Sequence, residues 1–306
     1  MLLADFNWRR ARWSPKTQAL YDVMWRHFVS YAKKRDVVEF PASAQTVANF
    51  LKDYALDHST SGVSSALSAI RAAHKEMRDS LPKTDPTREF YVLDDMVIVD
   101  AWKEIARTKG TASTPKAAIV TADLKKIIRG IPSGHWMDRA ILLLGFASAM
   151  RRSEIAALNR EDVEIGDEGM TITIRRSKTD KLGKGQTVAV LRSQSDYCAV
   201  RALEDYLDDA AIANGPLFRV FKGKGGRIEG RQVATIAKTW AAKAGYDPRV
   251  IGAHSLRRGC ITSMFKANTD IKHVMAHSRH KSIDIALGYV EADRAMKNPG
   301  LKALGL

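Results

Sequence analysis

Cysteine is nearly missing from this chain: 306 residues include two, Cys198 and Cys260. Two such distant thiols give neither a disulfide framework nor a metal-ligand spacing, which excludes the small stapled folds and the zinc modules. Long apolar runs are missing as well. The longest, Ala140 to Met150, falls short of the roughly 18 to 20 residues that a membrane span needs. The opening segment MLLADFNWRRARW lacks the apolar core of a secretory signal. A reduced, cytoplasmic protein is the expectation. No glycine-rich nucleotide loop is present either: FKGKGGR has neither the strand–loop–helix context nor the Lys-Ser/Thr ending of one.

Acidic residues are in short supply. Against 49 Lys and Arg stand 34 Asp and Glu, a net charge of +15 and a pI near 9.8. Such an excess suggests a polyanionic partner, nucleic acid first. It is unevenly spread. The first 116 residues hold 18 basic and 14 acidic side chains, the remainder 31 and 20.

What is present reads as mainly α-helical with a small antiparallel β-hairpin or sheet. Ser14 caps and Pro15 opens a first helix, in which Leu20, Met24, Phe28 and Tyr31 repeat at helical spacing. A second helix carries Val47, Phe50, Leu51 and Tyr54 on one side, and a third has Val63, Leu67 and Ile70 as its inner stripe. A fourth covers LDDMVIVDAWKEIAR. A helical domain over 1–107 is expected, then a small, polar, aperiodic linker at 108–117, then a mixed α/β domain over 118–306. In that second part DRAILLLGFASAM is a buried helix. GMTITI and QTVAVL alternate apolar and polar residues around a long basic tip, the pattern of a hairpin. Helix returns after about residue 195, interrupted by the basic loop GPLFRVFKGKGGRIEGR.

Four segments gather cationic and nucleophilic groups. In AMRRSEIAAL, Arg151 ends the buried helix, and Glu154 three residues on is placed to orient its guanidinium. In RRSKTDKLGKGQ, Lys178, Lys181 and Lys184 project from the hairpin tip; a flexible lysine is suited to reaching a phosphate and delivering a proton. In AHSLRRGC, His254 and Arg257 stand at i and i+3 on one helical face, an anion-binding arrangement. In HSRHKSIDIALGY, His280 and Tyr289 are nine apart, which on one continuous helix points them in opposite directions. A helix start at Ser282, with Asp284 in its first turn, separates them and removes that objection. Each segment also has a plain structural reading: an ion pair, a solvated turn, a capping histidine, a core tyrosine. Together they answer the needs of metal-free phosphodiester cleavage, in which guanidinium forks and an imidazole meet the non-bridging oxygens and a phenol attacks. No carboxylate cluster accompanies them, so no metal site is expected.

In that order and spacing the four segments resemble the tyrosine recombinases, or phage integrase family, with a layout similar to Cre-type recombinases, from about residue 12 to the end. RRSE matches the first catalytic Arg and its acidic partner, SKTD the hairpin lysine, HSLR the His-x-x-Arg motif, and His280 the residue nine before the nucleophile Tyr289. Two departures stand out: Arg279 and Ala253 occupy positions where many members have glycine, and neither falls on a reacting group. Arg279 leaves His277 as an alternative to His280. Lys181 and Lys184 remain alternatives to Lys178.

The resemblance implies a fold of helical core-binding domain plus mixed α/β catalytic domain. It implies catalytic roles for Arg151, Lys178, His254, Arg257, His280 and Tyr289, with Glu154 in support and neither metal nor cofactor. The implied partner is double-stranded DNA with short inverted-repeat sites. The implied assembly is a homotetramer on DNA, monomeric or weakly associated when free, working through a Holliday junction at the nucleoid and away from membranes. The tail over about 291–306, with Ala295, Met296, Leu301 and Leu304, is similar to a helix that packs on a neighbouring subunit. Since the core-binding helices begin near residue 14, a simple recombinase without an arm-binding domain is expected. For DNA contact, Arg71, Lys75 and Arg78 fall at i, i+4 and i+7 of the third helix, suited to a major groove. Arg219, Lys222, Lys224 and Arg227 of the basic loop are suited to phosphates. A type IB topoisomerase, which uses a similar residue set, and a DNA-binding protein that has lost catalysis are the competing readings.

Overall fold

A computed structural model of the protein describes residues 13–91, 93–111, 116–176, 185–220 and 226–280, together with 282, 283 and 288. The chain divides into two compact units, Met1–Thr114 and Pro115–Leu306.

Among the described residues, the first unit is built on four α-helices. In α1 (Pro15–Lys34) the Ser14 hydroxyl accepts from the Thr17 amide at 3.2 Å, and Lys33 and Lys34 occupy the last turn, where the helix dipole favours cations. Its buried face is Trp25, Phe28, Val29 and Ala32. The stripe expected from spacing is therefore turned by about one residue: Leu20 is 43% exposed and Trp25 1%. The indole, the largest apolar surface on the helix, takes the interior in its place. α2 (Ala44–Asp57), capped by Ser43, buries Val47, Phe50, Leu51 and Tyr54. α3 (Thr60–Ser80) buries Val63, Leu67 and Ile70, and also Ala72, Ala73 and His74. α4 (Met96–Lys109), capped by Asp95, buries Ile98, Ala101 and Ile105 and runs two residues into the stretch read as linker. α1 packs on α3, and α2 on both α3 and α4. Each large apolar side chain so buried contributes about 1.5–3 kcal/mol.

The second unit starts with α5 (Thr121–Arg129) and α6 (Trp136–Ala147), the latter buried continuously from Ala140 to Gly145. α6 is the hub, in contact with α5, α7 (Arg152–Ala157), α8 (Ala199–Asp209), α9 (Gly230–Lys243) and α10 (Ala253–Lys266). α11 (Ile271–Ser278) packs on α10. The hairpin pairs β2 (Gly169–Ile174) with β3 (Gln186–Leu191), Met170 opposite Val190 and Ile172 opposite Val188, all four inward. A third antiparallel strand, β1 (Val163–Ile165), lies on the other side of β2. The alternation that marks a strand has no room to show in three residues. No helix among the described residues is long and apolar enough to cross a membrane.

Candidate active site

Two chain reversals in the second unit bring distant cations together. The first follows α6. Ser148 donates its hydroxyl to the Leu144 carbonyl at 2.6 Å, and Ala149 turns the chain with φ +49°. Arg151 thus does not end the buried helix, as the sequence suggested; it is the N-cap of the next, α7. Its backbone amide donates to Glu154 Oε2 at 2.9 Å and its Nη1 to Oε1 at 2.7 Å, so one carboxylate holds both the helix start and the guanidinium. Glu154 is 3% exposed. The second reversal follows α11, where Arg279 adopts φ +59°, ψ 36° and the chain folds back.

Arg257 joins these reversals. It is 2% exposed on α10. Its Nη1 donates to the Ala149 carbonyl at 2.7 Å, and its Nη2 to Ser278 O at 2.5 Å and to His280 Nε2 at 2.9 Å. A guanidinium has donors only. His280 Nε2 is therefore the acceptor, and Nδ1–H donates to the Ser278 hydroxyl at 2.9 Å. Burial, then the charges of Arg257, Arg151 and Arg279, push the imidazole down to about 4, well under the ordinary 6.5. His280 is neutral at physiological pH.

α10 comes close enough to make these bonds because of Gly259. A Cβ there would lie 1.7 Å from the Ile119 carbonyl oxygen, so only glycine admits the 116–120 segment. That segment is tied down by Ala117 N–H to Val250 O at 2.8 Å and Ile119 N–H to Ser255 O at 3.0 Å. His254, in the first turn of α10, is exposed, in contrast to Arg257 one turn later.

His277 makes a different contact from His280. Its Nε2 donates to Ala147 O at 2.8 Å, and burial lowers its pKa. It secures the end of α6, while His280 is the histidine that meets Arg257. Ile283 is the next described helical residue after α11, with Ser282 just outside, so the helix is broken between His280 and Ile283. Lys178, Lys181, Lys184, Lys222, Lys224 and Tyr289, and the tail over 291–306, lie outside the described residues.

Arg279 is the residue that sequence reasoning passed over. Read as a departure that falls on no reacting group, it donates from Nη2 to Glu154 Oε2 at 3.1 Å and so shares the carboxylate of Arg151. The signal was present: a cation stands immediately before His280 at a position that favours glycine. Among the described residues Arg151 and Arg279 share the one carboxylate of Glu154, an excess of one positive charge, in a setting where charge is poorly screened.

Of the residues singled out for DNA contact, Lys75 is exposed and Arg78 half-buried. Arg71 is half-buried and donates to Leu93 O at 3.4 Å. Its position opposite the apolar stripe is only partly open to solvent, because α3 is buried around Ala72 and Ala73 too. Arg227 donates to Ala156 O and Leu158 O at 3.1 and 2.7 Å, and Arg219 to Pro216 O at 2.9 Å. Both anchor the basic loop.

The profile of the phage integrase family matches residues 119–296. The integrase/recombinase XerD homolog of Selenomonas ruminantium is 32% identical over 301 residues, 94% of this chain and 85% of that protein. Tyrosine recombinase XerC of Neisseria gonorrhoeae is 29% identical over 157 residues, 51% of this chain and 47% of that one. Among solved structures, XerH site-specific recombinase bound to palindromic difH substrate in a post-cleavage complex matches with a TM-score of 0.70 and 17% identity, covering 95% of this chain and 80% of XerH. That likeness is one of fold.

Proposed function

The chain belongs to the phage integrase family, the tyrosine-type site-specific recombinases, and on that footing we propose that it cleaves and rejoins DNA strands through a 3′-phosphotyrosyl link. Tyr289 attacks the scissile phosphorus, the bond to the 5′-oxygen breaks, and Lys178 gives that oxygen its proton. His254 takes the phenol proton. Arg151 and Arg257 hold the non-bridging oxygens, where charge grows in the transition state. His280 completes this set; to donate to phosphate from Nε2 it must release Arg257 and move its one proton from Nδ1 to Nε2. The 5′-hydroxyl of a second duplex then attacks the phosphotyrosine, which conserves the bond energy and calls for neither ATP nor metal.

One observation carries this reading. Segments more than a hundred residues apart converge, so that Arg257 meets Ala149, Ser278 and His280 while Arg151 and Arg279 share Glu154 with one positive charge in excess. A surplus of buried guanidinium charge is stable only where an anion comes to meet it.

The first unit acts as the core-binding domain and the second as the catalytic domain. Lys75, with Arg71 and Arg78, contacts DNA from α3. Arg219, Lys222, Lys224 and Arg227 position the backbone without reading sequence. The enzyme works as a tetramer on two inverted-repeat duplexes, through a Holliday junction, with the tail over 291–306 packing on a neighbour.

The test is covalent capture from a pool of random-sequence duplexes, with detergent-resistant adducts recovered and sequenced. The wild-type protein enriches an inverted repeat. Tyr289→Phe shifts the enriched duplex in a gel and yields no adduct; an adduct that persists would refute the nucleophile assignment. Relaxation of a plasmid lacking the enriched site would mark a topoisomerase instead.

A further inference from the structure

The Arg279 guanidinium goes beyond what the reading above uses. Its side chain is 6% exposed, against 18% for Arg151. Its backbone sits at φ +59°, a region glycine enters freely and a side chain enters at some cost. The turn that aims His280 at Arg257 therefore has no need of an arginine. Nor does Glu154 need a second cation for neutrality, since Arg151 already supplies one at 2.7 Å.

The three groups are shared out by atom. Glu154 Oε1 takes Arg151 Nη1, and Oε2 takes the Arg151 amide and Arg279 Nη2. A carboxylate gripped from both sides cannot swing, and Arg151 can point only where that carboxylate holds it. The second cation also alters the charge: Arg151 with Glu154 is neutral, and with Arg279 the set is +1. Arg279 Nε and Nη1 are buried with no hydrogen-bond partner among the described residues. Two such donors on a cation favour an incoming anion. Burial pulls the Arg279 pKa down and Arg151 adds to this, while Glu154 opposes both, as expected of like charges held across one carboxylate.

Resting on the phosphate-site reading above, we propose that Arg279 is a positioning residue for Arg151: by sharing Glu154 it fixes the direction of the Arg151 fork and keeps the pair positive toward the scissile phosphate.

The experiment uses the full-length protein and the duplex enriched by covalent capture, and compares wild type with Arg279→Gly, Arg279→Gln and Arg279→Lys. At saturating protein, the adduct-forming rate of the Gly and Gln variants falls about tenfold or more. Duplex affinity stays within about twofold, because many phosphate contacts share it. Lys, which keeps the charge without the fork, recovers part of the rate. On a duplex whose scissile phosphate is a neutral methylphosphonate, the Gly and Gln defects shrink to about twofold, since less charge develops there. A purely structural role would leave that defect unchanged, and an unchanged defect overturns the proposal. So does a wild-type rate in Arg279→Gln, which decides the matter if the Gly variant fails to fold. Absence of adduct from the wild-type protein on any duplex is a separate result, and overturns the recombinase mechanism itself.

Discussion

Arg257 Nη2 lies 2.9 Å from His280 Nε2, across 23 positions of sequence. Because the guanidinium only donates, the contact assigns the imidazole its neutral Nδ1–H form, completed by the bond to Ser278. This tautomer sets the pH behaviour of His280. His280 takes up a proton only near pH 4, not near 6.5, so it leaves no inflection in the adduct-forming rate between about pH 5 and 8. His280→Gln lowers that rate about tenfold at every pH in the range. A step near 6.5 in the wild-type profile that vanishes in His280→Gln would contradict this.

Lys178 is tested through the leaving group. An oxygen leaving as alkoxide needs a proton; a sulfur in its place does not. Lys178→Ala slows cleavage of the ordinary duplex by about 10²- to 10⁴-fold and is near wild type on a duplex with bridging sulfur at the 5′ position. If Lys181→Ala or Lys184→Ala shows that pattern, the role passes to that residue.

His74 makes the stability of the first unit depend on pH. It is 1% exposed; Nδ1–H donates to Ile70 O at 2.9 Å, and Nε2 accepts the Ala42 amide at 2.9 Å. Burial lowers its pKa to about 4, the Ile70 bond opposing. As pH falls below 6.5 the unfolded chain is protonated first. Stability is thus unaffected by His74 above about 6.5, declines between 6.5 and about 4, and is level below that. Between pH 7 and pH 5 the loss is ~2 kcal/mol. Urea denaturation at the two pH values measures it, and His74→Gln flattens the slope.

Two glycines give a graded packing test. Gly259→Ala sets a methyl against the backbone of Ile119, which has no way to yield, and costs about 3 kcal/mol, with loss of adduct as Arg257 shifts. Gly145→Ala meets the tips of Ile155 and Leu256 at 3.0 and 3.1 Å and costs about 1 kcal/mol, because side-chain ends rotate aside. Chemical denaturation ranks the two; equal costs would refute the argument.

On α3, Lys75→Ala lowers the salt slope of DNA binding by about one and leaves Tm unchanged. Arg71→Ala lowers Tm as well, because Arg71 also holds the Leu93 carbonyl. Binding titrations across salt concentrations and thermal melts separate the two effects; a Tm equal to wild type in Arg71→Ala would count against a structural share for that residue.

Much of the fold was legible wherever an interaction is local. The inner face of α2 and the inward alternation of Ile172, Ile174, Val188 and Val190 follow from helical and strand periodicity, and the Arg151–Glu154 pair from a spacing of three. Legibility failed where a distant segment chose the partner. Trp25 displaced Leu20 from the interior because α3 packs there. β1 is too short to show a period and exists by pairing with β2.

The sequence alone therefore determined the helices of the first unit and the hairpin, the excess of positive charge, and the order of the cationic segments that resemble the family. The tertiary structure decided which of those groups meet. Reversals at Ala149 and Arg279, and a helix approach that only Gly259 allows, set Arg257 between Ala149, Ser278 and His280 and hung two arginines on one glutamate. The Arg257 bonds to Ala149 and Ser278 are made to backbone carbonyls, and a carbonyl is the same group at every residue. No pattern of side chains could have named those two carbonyls.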